Sequence, residues 1–355
     1  MLDLNPKSEI LNPKQILNPN YPNSKPTSFG TLGFKIWGLF RNSSLEFRIF
    51  TRLAFFLLFF TVLTGCQNKR LYRDNRVMMG TFVEVTSPDK NAANIVFSEI
   101  KIIESLLSKY NVGSEVSKLN KLGKFNASPE TFYIIKKSKE FWQLSDGAFD
   151  ITVGPLMDLW GFTEKKYYLP KEEEIKNILN LVGSDKIILQ DSNNMIEFSI
   201  PGMKIDLGAI AKGYAVDCAV KKLKEKGIKS CLINAGGQVY ALGDKFGRLW
   251  NIAIKDPRSK DFIGYLELKN KSAATSGDYE QYFIKDNLRY AHILNPKTGH
   301  PADSRVISVT VIAPDGLTAD ALSTAIFVLG KEKGKALAKK FQDVEVKIIE
   351  EKDVK

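Results

Sequence analysis

From Val77 to the end of the chain, segments with strand-like and helix-like patterns of apolar residues alternate, with short breaks between them. This alternation excludes an all-α bundle and an all-β sandwich, because each of those repeats a single kind of element. No Pro-rich or Ser-rich linker interrupts residues 75–355. The sequence therefore predicts one large α+β domain with a mixed or antiparallel sheet and flanking helices, stabilised by a buried core rather than by disulfides.

The individual elements follow from apolar spacing and from residues that begin or end helices. Helices are predicted over 92–107, from Ser128-Pro129 to Asp146-Gly147, and over about 210–226 with Gly227 as the terminating glycine. Alternation with a period of two predicts a strand at 81–86. The remaining predicted strands are 231–234, 239–242, 250–254, 265–268, 281–284, 306–312 and 344–349, and the last helices are 319–329 and 333–341.

The first 65 residues differ from the rest. Leu-Asn-Pro occurs three times within residues 1–30, and proline disrupts both helices and sheets. Residues 1–52 are therefore predicted to be disordered, or an extension from a start codon assigned too early, ending in a basic flank. The following apolar run is about 11 residues, short of the roughly 20 that span a bilayer. Together with the flank it predicts a secretory signal whose apolar core and processing site occupy 53–65.

That signal ends in Leu63-Thr64-Gly65-Cys66, which resembles a bacterial lipobox, where the cysteine is acylated and becomes the new N-terminus. The alternative is a buried core segment with an incidental cysteine. Acyl chains bind a membrane with about 0.8 kcal/mol per buried CH₂. The sequence thus predicts lipidation of Cys66, a lipid-anchored linker over 66–75, and a location on the periplasmic side of a bacterial membrane, with inner or outer membrane left open.

The formal net charge of +11 would suit a polyanionic partner. Loss of residues 1–65 removes seven basic and three acidic side chains and lowers this charge to +7. The remaining lysines are dispersed on predicted helix faces, without interleaved aromatic residues or a nucleic-acid motif. We therefore expect no nucleic-acid partner.

Glycine and polar residues cluster at five places where packing alone would not select them. In the segment 206–214, a strand passes through small residues into a helix, so backbone N–H groups and Lys212 suit a phosphate group, although the spacing of a Walker loop is absent. Gly236-Gly237 suits a hairpin turn or the close approach of a planar ligand. The clusters are 145–156, 206–214, 234–237, 274–279 with 290–299, and 319–324.

Two of these clusters carry candidates for chemistry. His292 is one of two histidines and suits a general base or a phosphate contact, although a structural role is an equal alternative. Asp320 and Thr324 are four residues apart and share one helix face, where their oxygens suit Mg²⁺. An aspartate favoured by a helix N-terminus is the alternative. No clustered Cys and His set suits zinc, and Cys218 and Cys231 are predicted to be two buried thiols.

The order of these clusters along the chain and their amino-acid sequences resemble those of the ApbE family of FAD:protein FMN transferases. The resemblance begins with Met79-Gly80-Thr81, continues through Tyr110 and the segment 114–120, takes in all five clusters and runs to about Gly330. It implies a T-fold-like α+β architecture and a transferase domain over 76–350. Ala209 stands where the family often has Gly, and Gln238 stands where an acidic residue or Asn is common.

The resemblance also implies the ligands of the site. It implies Mg²⁺ bound by the carbonyl of Ala209 with Asp320 and Thr324, and with Ser323 as a further candidate. It implies that Lys212 and His292 act in catalysis as well as in FAD binding. The FAD-binding residues that it implies are Met79, Tyr110, Ala148, Phe149, Asp150, Asp206, Lys212 and His292.

The implied reaction transfers FMN from FAD to a Thr or Ser hydroxyl of an acceptor protein and releases AMP. The implied acceptors are membrane redox-complex subunits with a sequence like Ser/Thr-Gly-Ala-Ser/Thr. Two alternatives remain at this point: an FAD pyrophosphatase that uses water in place of the hydroxyl, and a membrane-anchored flavin carrier without turnover.

Overall fold

The computed structural model describes residues 70–353. The predictions for residues 1–52, for the signal at 53–65 and for Cys66 therefore lie outside the described residues. None of the helices within 70–353 combines the length and the apolar character needed to span a bilayer.

An antiparallel seven-stranded sheet forms the centre of the domain, in the order β1-β2-β6-β7-β10-β13-β14. β13 is buried along its whole length, because both faces of the sheet are covered at that strand. The strands are β1 (Tyr72–Met78), β2 (Thr81–Ser87), β6 (Cys231–Ala235), β7 (Gln238–Leu242), β10 (Lys271–Gly277), β13 (Val306–Ala313) and β14 (Glu345–Glu350).

Helices cover one face of this sheet. α6 packs against both α1 and α7, and α7 lies directly on β10 and β13. Val309 and Val311 of β13 point into the core formed with these helices, whereas Ile312, the residue after Val311, joins a smaller cluster on the other face. The helices are α1 (Ala92–Leu107), α2 (Glu115–Leu122), α3 (Pro129–Leu144), α4 (Gly154–Leu159), α5 (Glu172–Leu179), α6 (Ala211–Glu225), α7 (Gly316–Leu329) and α8 (Lys331–Ala338).

Three small sheets complete the described domain. A two-stranded ribbon of β8 and β9 packs its Trp250, Ile254 and Leu266 on the opposite face of the large sheet. A hairpin of β11 and β12 belongs to an aromatic cluster with Trp160, Phe162 and Phe283. The strands are β3 (Lys124–Asn126), β4 (Ile187–Gln190), β5 (Met195–Phe198), β8 (Trp250–Lys255), β9 (Phe262–Leu268), β11 (Tyr282–Lys285) and β12 (Leu288–Ala291).

The predicted α+β class with an antiparallel sheet is confirmed, and so are its local signals. Ser128 accepts the N–H of Thr131 and caps α3. The Gly236-Gly237 turn joins β6 to β7 with both residues at positive φ, and a Cβ on Gly236 would lie 2.8 Å from the Cβ of Thr81. Cys218 and Cys231 are both free thiols, but the prediction that both are buried is correct only for Cys231, because Cys218 is half-buried.

Residues 72–75 correct the prediction of a linker over 66–75, because they lie in strand β1 at the edge of the large sheet. All residues of β1 except Met78 are exposed, and the strand carries charged residues instead of an apolar alternation. An edge strand of this kind has no buried face to mark it in the sequence.

Candidate active site

The loop before α6 is set by Asp206, which follows a buried core segment. Its Oδ1 accepts the N–H of Gly208 at 2.8 Å, so the chain turns at once towards the helix. The N–H of Ala211 donates to the carbonyl of Leu207 at 2.8 Å, which starts the first helical turn. A Cβ on Gly208 would lie 3.1 Å from Asp206 Oδ1, so the glycine leaves this turn uncrowded.

Lys212 lies in the first turn of α6, and its side chain turns back over the loop. Its Nζ donates to the carbonyl of Gly208 at 2.9 Å and lies 3.4 Å from Oδ1 of Asp320 on α7. Asp320 is 5% exposed, and a carboxylate this buried is destabilising unless charged or hydrogen-bonding partners compensate it. Its other oxygen accepts the N–H of Gly213 at 3.0 Å.

The two helices can place Lys212 and Asp320 together because glycines meet where their N-terminal turns cross. A Cβ on Gly213 would lie 2.5 Å from the carbonyl carbon of Gly316 and 2.8 Å from the nitrogen of Leu317. Asp217 of α6 accepts the N–H groups of Gly316 and Leu317 at 2.6 and 2.8 Å. Burial raises the pKa of this Asp217 carboxyl to about 7, against the effect of the two N–H donors.

Three hydroxyls stand next to Asp320. Ser323 Oγ donates to the Asp320 carbonyl at 2.9 Å, so it must accept the proton of Ser276 Oγ, which lies 2.8 Å away. Thr324 Oγ1 lies 3.3 Å from Ser276 Oγ and therefore donates to it. This assignment of protons leaves the lone pairs of Thr324 Oγ1 available to a further partner.

The oxygens near Asp320 fit the predicted magnesium ligands. The N–H of Gly213, the usual helical partner of the Ala209 carbonyl, donates to Asp320 instead, and within 70–353 no hydrogen bond to that carbonyl is seen. Among the described residues, no three or more His, Cys, Asp or Glu side chains form a metal site. The available set is one carboxylate, one hydroxyl and one carbonyl, which suits a hard cation that keeps water and phosphate ligands.

His292 follows β12 and is half-buried. Its backbone N–H and its Nδ1 both lie within hydrogen-bond distance of the Gln281 carbonyl, at 3.0 and 3.1 Å. Nδ1 must therefore carry the proton, and Nε2 is left as an acceptor. Burial lowers the pKa of His292 to about 4, and the charge of Lys212 contributes in the same direction. The imidazole is neutral at neutral pH.

Lys109 lies next to Asp206 at this site, and it was not among the site residues predicted from the sequence. Its Nζ lies 2.7 Å from Asp206 Oδ2 and 5.2 Å from the centre of the Tyr110 ring. Tyr110 itself is 69% exposed, so one of the predicted FAD contacts presents an accessible aromatic surface. A single lysine in a loop gives no pattern, and its partner Asp206 is distant in the chain.

Met79 lies in the turn between β1 and β2, at a positive φ of 50°. Its N–H donates to Oε1 of Glu104 at 2.6 Å, near the end of α1. This contact places Met79 at the same end of α1 as Lys109 and Tyr110.

The segment 148–150 is built into the core. Ala148 and Phe149 are buried, and Phe149 packs edge-on against Phe141. Asp150 Oδ1 accepts hydrogen bonds from the N–H and hydroxyl of Thr152 and from the hydroxyl of Ser184, and Oδ2 accepts the N–H of Ser184. These side chains have structural roles, and their contact with FAD stays a prediction.

Two cavities lie apart from the residues brought together around Lys212. One, of about 770 Å³, lies between α3, α6 and α7 and is lined by Asp217 and Tyr240 but by none of the predicted site residues. The other, of about 490 Å³, is lined by Asp150 near Trp142 and Lys297. We place the candidate site at the start of α6 rather than in either cavity, because Lys212 and the buried Asp320 meet there.

Comparison with known proteins decides the family. A sequence profile of the ApbE family matches residues 79–348. The chain belongs to the ApbE family. The ApbE protein of Thermotoga maritima has 38% identity and a TM-score of 0.74, over 80% of this chain and 95% of that one. The flavin transferase ApbE of Vibrio cholerae has 30% identity and a TM-score of 0.71, over 79% and 94%.

A relative named FAD:protein FMN transferase, from Klebsiella pneumoniae, is 35% identical over 285 residues, which cover 78% of this chain and 89% of the relative. The fold expected from the resemblance to the ApbE family is confirmed by these structural matches. The roles of the individual site residues stay predictions.

Proposed function

We propose that this chain is an FAD:protein FMN transferase that uses Mg²⁺, attaches FMN to a Thr or Ser hydroxyl of an acceptor protein and releases AMP. The observation that carries the proposal is the contact of Lys212 and the Gly213 N–H, at the start of α6, with Asp320 of α7, which lies one helical turn before Thr324. The names of the ApbE relatives supply the substrate class.

FAD would bind with its diphosphate at the start of α6. The N-terminus of a helix and the ammonium of Lys212 both favour an anion there. Tyr110 offers an accessible ring on which a planar heterocycle can stack. Asp206 lies between these two groups and sets the turn that leads to Lys212.

Magnesium would be held by Asp320, Thr324 and the carbonyl of Ala209. When bound, it would neutralise phosphate oxygens on which charge develops during transfer. Lys212 has a separate role, because its Nζ, 3.4 Å from Asp320, can leave the carboxylate and pair with a phosphate oxygen.

In the reaction, the acceptor hydroxyl oxygen forms a bond to the phosphorus nearer riboflavin, and the bond from that phosphorus to the AMP oxygen breaks. The hydroxyl proton must leave. His292 is neutral with Nε2 as an acceptor, so its protonation state allows it to accept that proton. A pKa of about 4 makes it a weak base in the absence of ligand, and an adjacent diphosphate would raise that pKa by favouring the imidazolium.

We further propose that acylation of Cys66 tethers the enzyme to the periplasmic side of a bacterial membrane. Membrane redox-complex subunits with a Ser/Thr-Gly-Ala-Ser/Thr-like segment would be the acceptors. A shared membrane surface raises the effective concentration of enzyme and acceptor for each other. Metabolic labelling with a fatty acid, comparing wild type with Cys66→Ser, tests the anchor: label retained by the variant would contradict it.

The decisive experiment incubates the mature protein with FAD, Mg²⁺ and a peptide bearing the acceptor sequence. We expect the peptide to gain the mass of an FMN group, with one AMP released for each modified peptide. A matched peptide with Ala in place of the acceptor hydroxyl residue is the control. AMP without peptide modification would show a pyrophosphatase, and FAD binding without AMP would show a carrier; either result overturns the proposal.

A further inference from the structure

Lys109 is held by a set of contacts that is unusual for a lysine in a loop. Its side chain is 12% exposed, and its Nζ lies 2.7 Å from Asp206 Oδ2 and 3.0 Å from Thr163 Oγ1. Its backbone carbonyl accepts the hydroxyl of Ser117 at 2.9 Å, which fixes the loop after α1. One ammonium therefore connects three separate segments of the chain.

The hydrogen-bond network of Lys109 continues beyond Thr163, on the side away from Asp206. Thr163 donates to Asp158 Oδ1 at 2.6 Å, and Lys204 donates to the other oxygen of Asp158 at 2.7 Å. These outer residues hold Thr163 in place and thereby support Lys109 from the side opposite Asp206. The network ends at Asp206, whose remaining oxygen sets the turn at Gly208.

Charge is the second reason to single out this lysine. Asp206 is 14% exposed and lies at the approach to the start of α6, where an anionic ligand would be bound. A carboxylate in that position repels a diphosphate unless a cation neutralises it. Burial works against the charge on Lys109, but the effect of the neighbouring Asp206 carboxylate is larger, so the pKa of Lys109 is raised and its ammonium stays charged.

We propose that Lys109 is a positioning residue for the flavin donor: it neutralises and orients Asp206. The proposal rests on the function proposed above, because it takes a dinucleotide diphosphate as the ligand. Lys109 acts through Asp206 and does not itself contact the reacting atoms.

The test compares Lys109→Met, which keeps the length of the side chain and removes its charge, with Lys109→Arg. FAD affinity is measured by quenching of flavin fluorescence, and KM and kcat by AMP release. We expect Lys109→Met to raise both the Kd and the KM for FAD about tenfold or more, with a smaller change in kcat, since the Asp206 carboxylate would then be left without its cation and would repel the diphosphate. Lys109→Arg should recover most of the affinity.

A matched control is Lys331→Met. Lys331 Nζ lies 2.7 Å from Glu350 Oε2, in a partly buried pair that joins α8 to β14 and contacts none of the site residues. The Lys331→Met variant should lose about as much thermal stability as Lys109→Met and keep wild-type affinity for FAD. If the two Met variants change FAD affinity equally, Lys109 has only a structural role and the proposal is overturned.

The Asp206→Asn background separates action through Asp206 from direct contact. There, adding Lys109→Met should change the Kd for FAD by less than about threefold, because the carboxylate that Lys109 serves is gone. A full tenfold loss in that background would overturn the proposal. If the wild-type chain binds FAD but releases no AMP, the proposed reaction fails while the binding comparison still decides the role of Lys109; if it binds no FAD, both fail.

Discussion

Replacing Gly213 by alanine would test whether the close approach of α6 and α7 creates the site. The added Cβ would lie 2.5 Å from the carbonyl carbon of Gly316, and ordinary contact begins at 3.4 Å, so the two helices must separate by about 0.9 Å. The atoms that this Cβ would meet, the Gly316 carbonyl carbon and the Leu317 nitrogen, belong to the backbone and cannot rotate away as a side chain could. Overpacking of this kind costs about 1–3 kcal/mol of folding free energy.

The separation acts directly on the reacting groups. The N–H of Gly213 donates to Asp320 Oδ2, and Lys212 is the adjacent residue. Displacement of catalytic groups by about 1 Å can lower the rate a hundredfold, so we expect a loss of this order in Mg²⁺-dependent AMP formation from FAD. The assay is run well below the unfolding temperature, with circular dichroism showing that the variant is folded.

Gly264→Ala is the control for this substitution. Gly264 lies in β9, and a Cβ added there meets no atom within 4 Å. It should keep wild-type activity and a urea midpoint close to that of the wild type. Gly213→Ala with the same activity and the same midpoint as Gly264→Ala would refute the idea that the glycine contact positions Asp320.

Three further outcomes are expected. Asp320→Asn should lower Mg²⁺-dependent AMP formation at least about a hundredfold, because cation binding supplies several kcal/mol of charge stabilisation; activity that responds to Mg²⁺ as in the wild type would remove Asp320 from the ligands. Asp150→Asn should cost about 1–3 kcal/mol in urea unfolding, since an amide donor replaces an acceptor of a buried hydrogen bond, whereas Asp191→Asn on the surface should cost less than about 0.5. Because the pKa of His292 is lowered to about 4 in the folded state, the unfolded chain binds more protons between pH 6.5 and 4, and the free energy of unfolding decreases as the pH is lowered through this range. His292→Gln should reduce the loss of stability between pH 7.5 and pH 4.5 by about 2.5 kcal/mol. A loss equal to that of the wild type would contradict the lowered pKa.

Local signals in the sequence were sufficient for the longest helices, whereas the short helices α2, α4 and α5 were not predicted. The predicted helix at 92–107 has those bounds in the structure, and the one at about 210–226 is observed as Ala211–Glu225. Both predictions depend on apolar spacing within one segment, and the second also on Gly227 as the terminating residue. β10 was not predicted, because its sequence Lys-Ser-Ala-Ala-Thr-Ser-Gly consists mostly of small residues without an apolar alternation, and their burial comes from α7 packed above them.

The candidate site was predictable where one segment carries the chemistry. Lys212 and Asp320 were found because each lies in a polar cluster at a helix start, although nothing in the sequence showed that they are 3.4 Å apart. Lys109 was not found, since its role depends on a partner that only the fold brings near. The role of Asp150 in FAD binding, taken from the resemblance, stays a prediction, and its hydrogen bonds to Thr152 and Ser184 were not predicted from the sequence.

The polar strand β1, part of which was predicted to be a linker, affects the tendency of the protein to self-associate at high concentration. From Arg73 to Met78, no further strand of the described residues pairs with the outer side of β1, and a second copy of the chain could extend the sheet there. Arg73, Asp74 and Arg76 place charges along this edge. Docking of two such edges would remove these charges from water, so the side chains that kept β1 from being predicted also disfavour self-association of the folded protein through strand pairing.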